Sequence, residues 1–512
     1  MYPLTWLPYA FPWLATLILI IKGFSLRRKL NTPPGPKPWP IIGNFNLIGS
    51  LPHRSIHSLC RKYGPLMQIK FGSKTIVVAS SVEVAQEILK TNDVIFAGRP
   101  KMAAGKYTTY NYSDITWSQY GPYWRQARKM CIMELFSTKR IESYEYIRIE
   151  ETRNLVNGLY NLSSKKIFLK DHLSDVSLNV ISRIVFGKKY TVESESNETS
   201  IVSPSEFKKM LDELFLLNGV LNIGDYIPWL QFLDLQGYVK RMKVLGEKLD
   251  RFLECVIDEH NEKRLGVKDW VAKDMVDVLL QGCGDPNLDV KLDRTSVKAF
   301  SQDMVAGGTE SSAVTVEWAI AELLKRPYII EKATEELDRV IGRERWVTEK
   351  DMLRLPYIEA VMKETMRLHP VAPMLVPRMA REDVKVAGYD IPKGTLALVH
   401  VWAIGRDPTL WEKPEEFYPE RFMGKSIDVK GADFELLPFG AGRRMCPGYT
   451  LGLKVIQSTL ANLLHGFLWS LPDKMKPEDL DMNEIFGLST PMKYPLVTVV
   501  EPRLPAHLYL TS

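Results

Sequence analysis

The chain opens on "MYPLTWLPYAFPWLATLILII", a run in which no charged side chain appears before Lys22. About 20 apolar residues in helical form cross a bilayer core of about 30 Å. Residues 1–21 are therefore predicted to form a transmembrane anchor, with Pro3, Pro8 and Pro12 weakening the helix only toward its start. Lys22, Arg27, Arg28 and Lys29 follow. A secretory signal carries its charges before the apolar run and a small-residue cleavage site after it. The order here is reversed, so the segment reads as retained, with the basic cluster holding the following chain in the cytosol. "PPGPKPWPIIGN" then reads as a stiff, extended connector. Residues 22–41 are thus a basic stop and proline-rich hinge, and the body runs over 42–512.

Within the body, "PLMQIKFGSKTIVVAS" predicts two strands around a turn at Gly72-Ser73, and "YPLVTVVEP" predicts another strand near the C-terminus. Between them the periodicity is mostly helical. Leu453, Ile456, Leu460, Leu463, Leu464 and Phe467 share one helix face. Thr191 to Glu206 is polar and acidic and reads as a surface loop. No repeat is visible. The expected fold class is mainly α with small β-sheets.

Composition narrows the function. A chain of 512 residues that is 45% hydrophobic can support one large core. Its net charge of +6 is mild and comes without long basic runs, which excludes nucleic acid as the expected partner. The five cysteines form no C-x-x-C pair, and the odd count argues for a reducing compartment. "GAGRRM" has Met445 where a dinucleotide fingerprint needs its third glycine, so reducing equivalents must come from another protein. Sequons at Asn111, Asn161 and Asn197 are expected to stay bare in a cytosolic body.

One cysteine stands apart, in "PFGAGRRMCPG". Pro447 suits the first turn of the helix that carries Leu453, which would put Cys446 at a helix N-terminus where a thiolate is favoured. That serves a nucleophile or a metal ligand. Gly440, Gly442 and Gly448 clear side chains as if for something flat and wide, and Arg443 and Arg444 offer pairing to carboxylates on it. A haem meets these conditions. A structural cysteine on a glycine-rich turn, or a nucleophile with a distant histidine, stays open on the residues alone.

The stretch resembles the F-x-x-G-x-R-x-C-x-G loop of the cytochrome P-450 superfamily of haem-thiolate monooxygenases, through Phe439, Gly442, Arg444, Cys446 and Gly448. The resemblance implies the cytochrome P-450 fold with an N-terminal membrane anchor, and a haem-binding catalytic domain over 42–512. It implies haem b, iron protoporphyrin IX, with Cys446 as its axial thiolate. It also implies a long central helix, matched by "AFSQDMVAGGTESSAVTVEWAIAELLK" at Gly307, Gly308, Thr309, Glu310, Ser311 and Ser312. Adjacent helical glycines cost ~1 kcal/mol each relative to alanine. Space above an iron with a locally widened helix, or close packing of a plain buried helix, would offset that. Phe300, Asp303, Met304, Gly307 and Ser311 would line one face. By resemblance, Glu310 and Ser311 relay protons during O–O cleavage, with serine standing where threonine is usual. Trp124, Arg128 and Arg378 would contact haem propionates. Arg125 and Lys129 would offer a basic face to an acidic reductase. Glu364 and Arg367, alone an ordinary exposed ion pair, match with Arg421 the family's structural Glu-Arg-Arg network.

The motifs resemble the plant microsomal type. They imply an endoplasmic-reticulum protein, single-pass with its catalytic domain cytosolic, that uses O2 and NADPH through a separate NADPH-cytochrome reductase to put one oxygen atom into a small lipophilic substrate. Substrate would touch Tyr107, Thr108, Asn111 and Ile115, then Phe300, Met304 and Gly307, then Val371 to Leu375, and Ile485 to Leu488 with Phe486. These segments are largely apolar, which argues for a neutral ligand. The loop before Trp124 is most similar to flavonoid-hydroxylase-like, lignan-oxidising and homoterpene-forming enzymes. The reading leans to a phenylpropanoid such as a lignan or flavonoid. The alternatives are a homoterpene-forming enzyme acting on acyclic terpenoid alcohols, a haem-thiolate isomerase or dehydratase, and a non-catalytic haem carrier.

Overall fold

The helix Arg294–Leu324 organises the body. Asp293 caps its start by accepting the Ser296 N–H at 2.8 Å, and at 1.5 Å per residue its 31 residues run ~46 Å. From Ser312 to Leu324 every residue is buried, so this half has no polar face and must be enclosed on all sides. Helices Leu169–Phe186, Pro356–Leu368 and Tyr449–Gly466 enclose it and share its core. The computed structural model describes residues 30–190, 202–267, 269–283, 288 and 290–510.

The sheets are small and peripheral. Strands β1 (Leu66–Phe71) and β2 (Lys74–Ala79) pair antiparallel around the predicted turn at Gly72-Ser73. A short β3 (Lys166–Phe168) follows, then β4 (Arg378–Met379), β5 (Val384–Val386), β6 (Tyr389–Ile391) and β7 (Leu396–Val399). Last come β8 (Phe467–Ser470) and β9 (Val497–Pro502), which carries the strand predicted in "YPLVTVVEP". Their orders are β1-β2-β7-β4, β3-β9-β8 and β5-β6. Val77 and Ala79 face one apolar cluster while Ile76 and Val78 face another, so the first sheet is buried on both sides.

Several expectations need correcting. Phe467 lies beyond the helix that ends at Gly466: its backbone is extended and it opens β8. Pro447 precedes that helix, whose N-cap is Gly448, and does not sit in its first turn. Residues 204–206, assigned to the polar loop, already belong to helix Pro204–Gly219, because the Ser203 hydroxyl accepts the Glu206 N–H. Among the described residues no helix is long and apolar enough to cross a membrane. The predicted anchor 1–21, the basic cluster Lys22 to Lys29 and Asn197 lie outside the described residues. The proline-rich segment is tied to the body: Asn31 and Asp390 exchange bonds at 2.9 and 2.7 Å, and the Gln68 N–H donates to Pro34 at 2.8 Å.

Glu364 and Arg367 are not an exposed pair. Both are fully buried, with two nitrogens of Arg367 on the carboxylate at 2.7 and 2.8 Å. The same carboxylate accepts Arg421 Nε at 3.0 Å and the Tyr418 N–H at 2.7 Å. The spare nitrogens of Arg367 and Arg421 hold backbone carbonyls between Gly405 and Glu416, so one carboxylate folds the loop that leads to the cysteine. Glu364→Gln would leave two buried guanidiniums without an anion, and is expected to cost about 3–5 kcal/mol, read as a lower denaturant midpoint.

Candidate active site

The cysteine loop is closed by its own backbone. Cys446 N–H donates to the Phe439 carbonyl at 3.0 Å, and Met445 N–H to that of Gly442 at the same distance. Gly440 and Gly442 both have φ of 68°, the left-handed region where glycine alone is unstrained. A Cβ on Gly442 would lie 2.1 Å from the Leu89 carbonyl oxygen. That glycine is therefore bare for the sake of a neighbouring backbone, and only Gly440 and Gly448 leave ordinary contact distances, to Leu375 and Phe136. The Cys446 thiol also departs from expectation. The Gly448 N–H and Arg128 favour the thiolate, but burial outweighs them and pushes the pKa up. A cation directly on sulfur would restore the thiolate.

Around this loop lie Arg99, Arg128, Arg378 and Arg444, and none of them pairs with a carboxylate among the described residues. Arg444 spends its guanidinium on the carbonyls of Ala97, Ile115 and Ser118 at 2.9, 3.0 and 2.6 Å, lying over the Trp124 ring at 4.4 Å. The Trp124 indole N–H also goes to Ile115, at 3.1 Å. Thus Arg444 and Trp124 brace backbone. Arg99, which the sequence reading passed over, does likewise to Thr116, Val376 and Pro377. Arg378 donates one nitrogen to the Ala441 carbonyl at 2.9 Å, and its buried Nη1 has no partner. Burial and mutual repulsion pull Arg378 down to about 9 and Arg444 to about 8. Such a cluster calls for an anion, and the two carboxylates of a haem answer it, with Arg378 and the half-buried Arg128 as the side chains left free to hold them.

On the central helix the two glycines differ. A Cβ on Gly308 would meet Ile181 Cγ1 at 2.6 Å, so this glycine lets helix Leu169–Phe186 pack close. A Cβ on Gly307 would meet nothing within 4 Å, so this one borders open space. The helix continues as α-helix through both, without the expected widening. The Ser311 hydroxyl donates back to the Gly307 carbonyl at 3.0 Å. Glu310 Oε2 accepts the buried Ser489 hydroxyl at 2.7 Å. Burial pushes Glu310 up, against Ser489 and Lys170 and with Asp212.

The residues expected at the substrate are spread more widely. Leu375 has φ of 50° and leans on Gly440, and the Val371 carbonyl accepts the Thr490 hydroxyl at 3.2 Å. Met304 and Phe300 are buried on the central helix, Phe300 beside the Tyr123 ring. Phe486 stacks on His53 with ring centres 5.8 Å apart. Asn111 is exposed in a run of left-handed residues, Tyr110 to Tyr112. The Tyr107 ring sits under Lys106 and Lys243, and its carbonyl abuts Gly246. The contrast between the glycines predicts that Gly308→Ala loses about 1–3 kcal/mol through overpacking. Gly307→Ala, by contrast, unfolds no earlier than the parent in the same thermal melt, since alanine favours helix by ~1 kcal/mol.

Comparison with known proteins agrees with this geometry. The family described as cytochrome P-450 matches residues 33–499. The chain is similar to trimethyltridecatetraene synthase of Zea mays, 50% identical over 94% of this chain and 90% of that one. It is similar to dimethylnonatriene synthase of Zea mays at 46%, over 94% and 93%. It is similar to flavonoid 3'-monooxygenase of Petunia hybrida at 42%, over 96% and 97%. Among solved structures, a zebra fish cytochrome P-450 with progesterone superposes with a TM-score of 0.75 at 28% identity, covering 89% of this chain and all of that one. The chain belongs to the cytochrome P-450 family of oxidoreductases, which hold haem through a cysteine thiolate.

Proposed function

We propose that this protein is a membrane-anchored monooxygenase that inserts one oxygen atom from O2 into a neutral lipophilic plant metabolite, with electrons from NADPH through a separate reductase. The observation that carries the reading is Cys446 in its closed loop beside unpaired guanidiniums. Cys446 would bind the iron, and Arg378 and Arg128 the propionates. Bound there, haem supplies the activation of dioxygen. Glu310, whose proton affinity burial raises, stands one residue from Ser311, with Ser489 fixing the carboxyl. Ser311 donates its proton to the Gly307 carbonyl one turn back, and the position of the missing Gly307 Cβ is open. Ile115, Met304, Val371 and Leu375 offer aliphatic walls without a free charge, which suits a neutral substrate.

Two surfaces support the proposed setting. Trp39, Ile41, Ile227 and Trp229 line a groove of about 410 Å³ beside the proline-rich segment, and Phe232, 81% exposed, follows. An apolar face next to a predicted anchor supports lying on the same membrane, that of the endoplasmic reticulum. Arg125 and Lys129 are exposed on helix Pro122–Met130, which carries Arg128, and support docking of an acidic reductase near the cysteine loop.

Each substrate class has one observation in its favour. The two maize synthases support acyclic terpenoid alcohols cleaved to homoterpenes. The flavonoid monooxygenases, matched over nearly the full chain, support a phenylpropanoid such as a flavonoid or lignan. Microsomes with reductase, supplied with both sets, are expected to convert one of them only when NADPH and O2 are present. Conversion without NADPH would instead mean an isomerase or dehydratase. Glu310→Gln is expected to lower product per NADPH consumed by about 10²-fold. In the parent, that ratio should fall as pH rises through the raised Glu310 pKa, because the carboxyl then loses the proton it holds; in the variant it should not depend on pH there.

A further inference from the structure

Asp303 lies on the central helix one turn before Gly307, and its contacts go beyond the helix face on which the sequence places it. Its Oδ2 accepts the backbone N–H of Ile115 at 2.8 Å and of Thr116 at 3.1 Å, with the Thr116 hydroxyl at 3.4 Å. The carbonyls of the same two residues face cations. That of Ile115 accepts Arg444 Nη1 at 3.0 Å and Trp124 Nε1 at 3.1 Å, and that of Thr116 accepts Arg99 Nε at 2.8 Å. One dipeptide is thus gripped by a carboxylate from the central helix and by two guanidiniums from the other side. Hydrogen bonds arranged in line polarise one another, so each end of this chain strengthens the other. Arg444 stands two residues before Cys446, and Arg99 also holds Val376 and Pro377, which precede Arg378.

The carboxylate is supported by its neighbour. Asp114 is fully buried, accepts the Trp117 N–H at 3.0 Å through Oδ1, and leaves Oδ2 without a partner. Burial pushes both acids up, and repulsion by Asp303 raises Asp114 further, whereas the donors around Asp303 pull it back down and favour Asp303 as the ionised member.

We propose that Asp303 is a positioning residue: by seating residues 115 and 116 it fixes the register in which Arg444 and Arg99 hold the cysteine loop and the segment before Arg378 against the central helix. The clamp stands on hydrogen bonds within the chain, and its effect on catalysis rests on the haem-thiolate reading.

The test is hydrogen–deuterium exchange on the full-length, haem-loaded chain, with the reduction potential of the bound haem measured on the same samples. Asp303→Ala is expected to speed exchange of the amides at 115 and 116 about tenfold while leaving helix Tyr449–Gly466 unchanged, and to move the potential. Asp303→Asn, which keeps an acceptor oxygen but loses the charge, should restore both in part, leaving exchange about threefold faster than in the parent. Unchanged exchange at 115 and 116 in Asp303→Ala overturns the proposal, as does a rise spread evenly over the chain with no rescue by asparagine. Should Asp303→Ala fail to accumulate, Asp303→Asn decides alone: about threefold faster exchange confined to 114–118 supports the clamp, and no change overturns it. A chain that takes up no haem would defeat the functional reading, yet its exchange at 115 and 116 would still decide the clamp.

Discussion

A buried positive charge must find a negative partner or be held by dipoles, and this requirement governs the region around Cys446. Arg444 and Arg99 take the second route, each gripping several carbonyls. Their grip draws the segment from Ala97 to Ser118 and the strand at Arg378 onto the cysteine loop. Among the described residues Arg378 keeps one nitrogen unsatisfied and Arg128 has no ion partner. The fold thus stores an affinity for carboxylates where a thiol waits for a cation. Arg378 and Arg128 stand far from Cys446 in sequence, so it is the fold that brings these opposite needs together.

The central helix answers a different constraint. Enclosed on all sides only from Ser312 onward, it leaves out side chains just ahead of that half, at its two glycines. Gly308 is used up by Ile181, so Gly307 alone supplies room, and Ser311 and Glu310 stand beside that room on the next turn. Glu364 meets a similar demand elsewhere in the core, where its single carboxylate with Arg367 and Arg421 fixes the segment 405–416.

Much of this was legible in the sequence where the signal is local. The β1–β2 turn and the glycine-rich frame of the cysteine loop follow from spacing within a few residues, and the long central helix from the resemblance carried by "AGGTES". Pro447 and Phe467 were misassigned at helix ends, where periodicity says least and backbone angles decide. The backbone contacts of Arg444 and Trp124 could not be foreseen, because their acceptors are carbonyls, which leave no mark in composition. Arg99 and Ser489 were missed for a related reason: each acts on a partner brought close only by the fold, as Ser489 does on Glu310 across 179 positions. The burial of Glu364 and Arg367 was likewise invisible in a spacing that fits any exposed ion pair.

The bond from Arg444 to the Ala97 carbonyl closes a loop of 347 residues, and that to Ile115 one of 329. Closing such loops is entropically costly and repaid only when the distant segments meet. The cysteine loop can therefore take its final shape only after nearly the whole chain has left the ribosome and collapsed. Cofactor capture is consequently a late event in the life of each molecule, and an incomplete or stalled chain has no means of holding reactive iron.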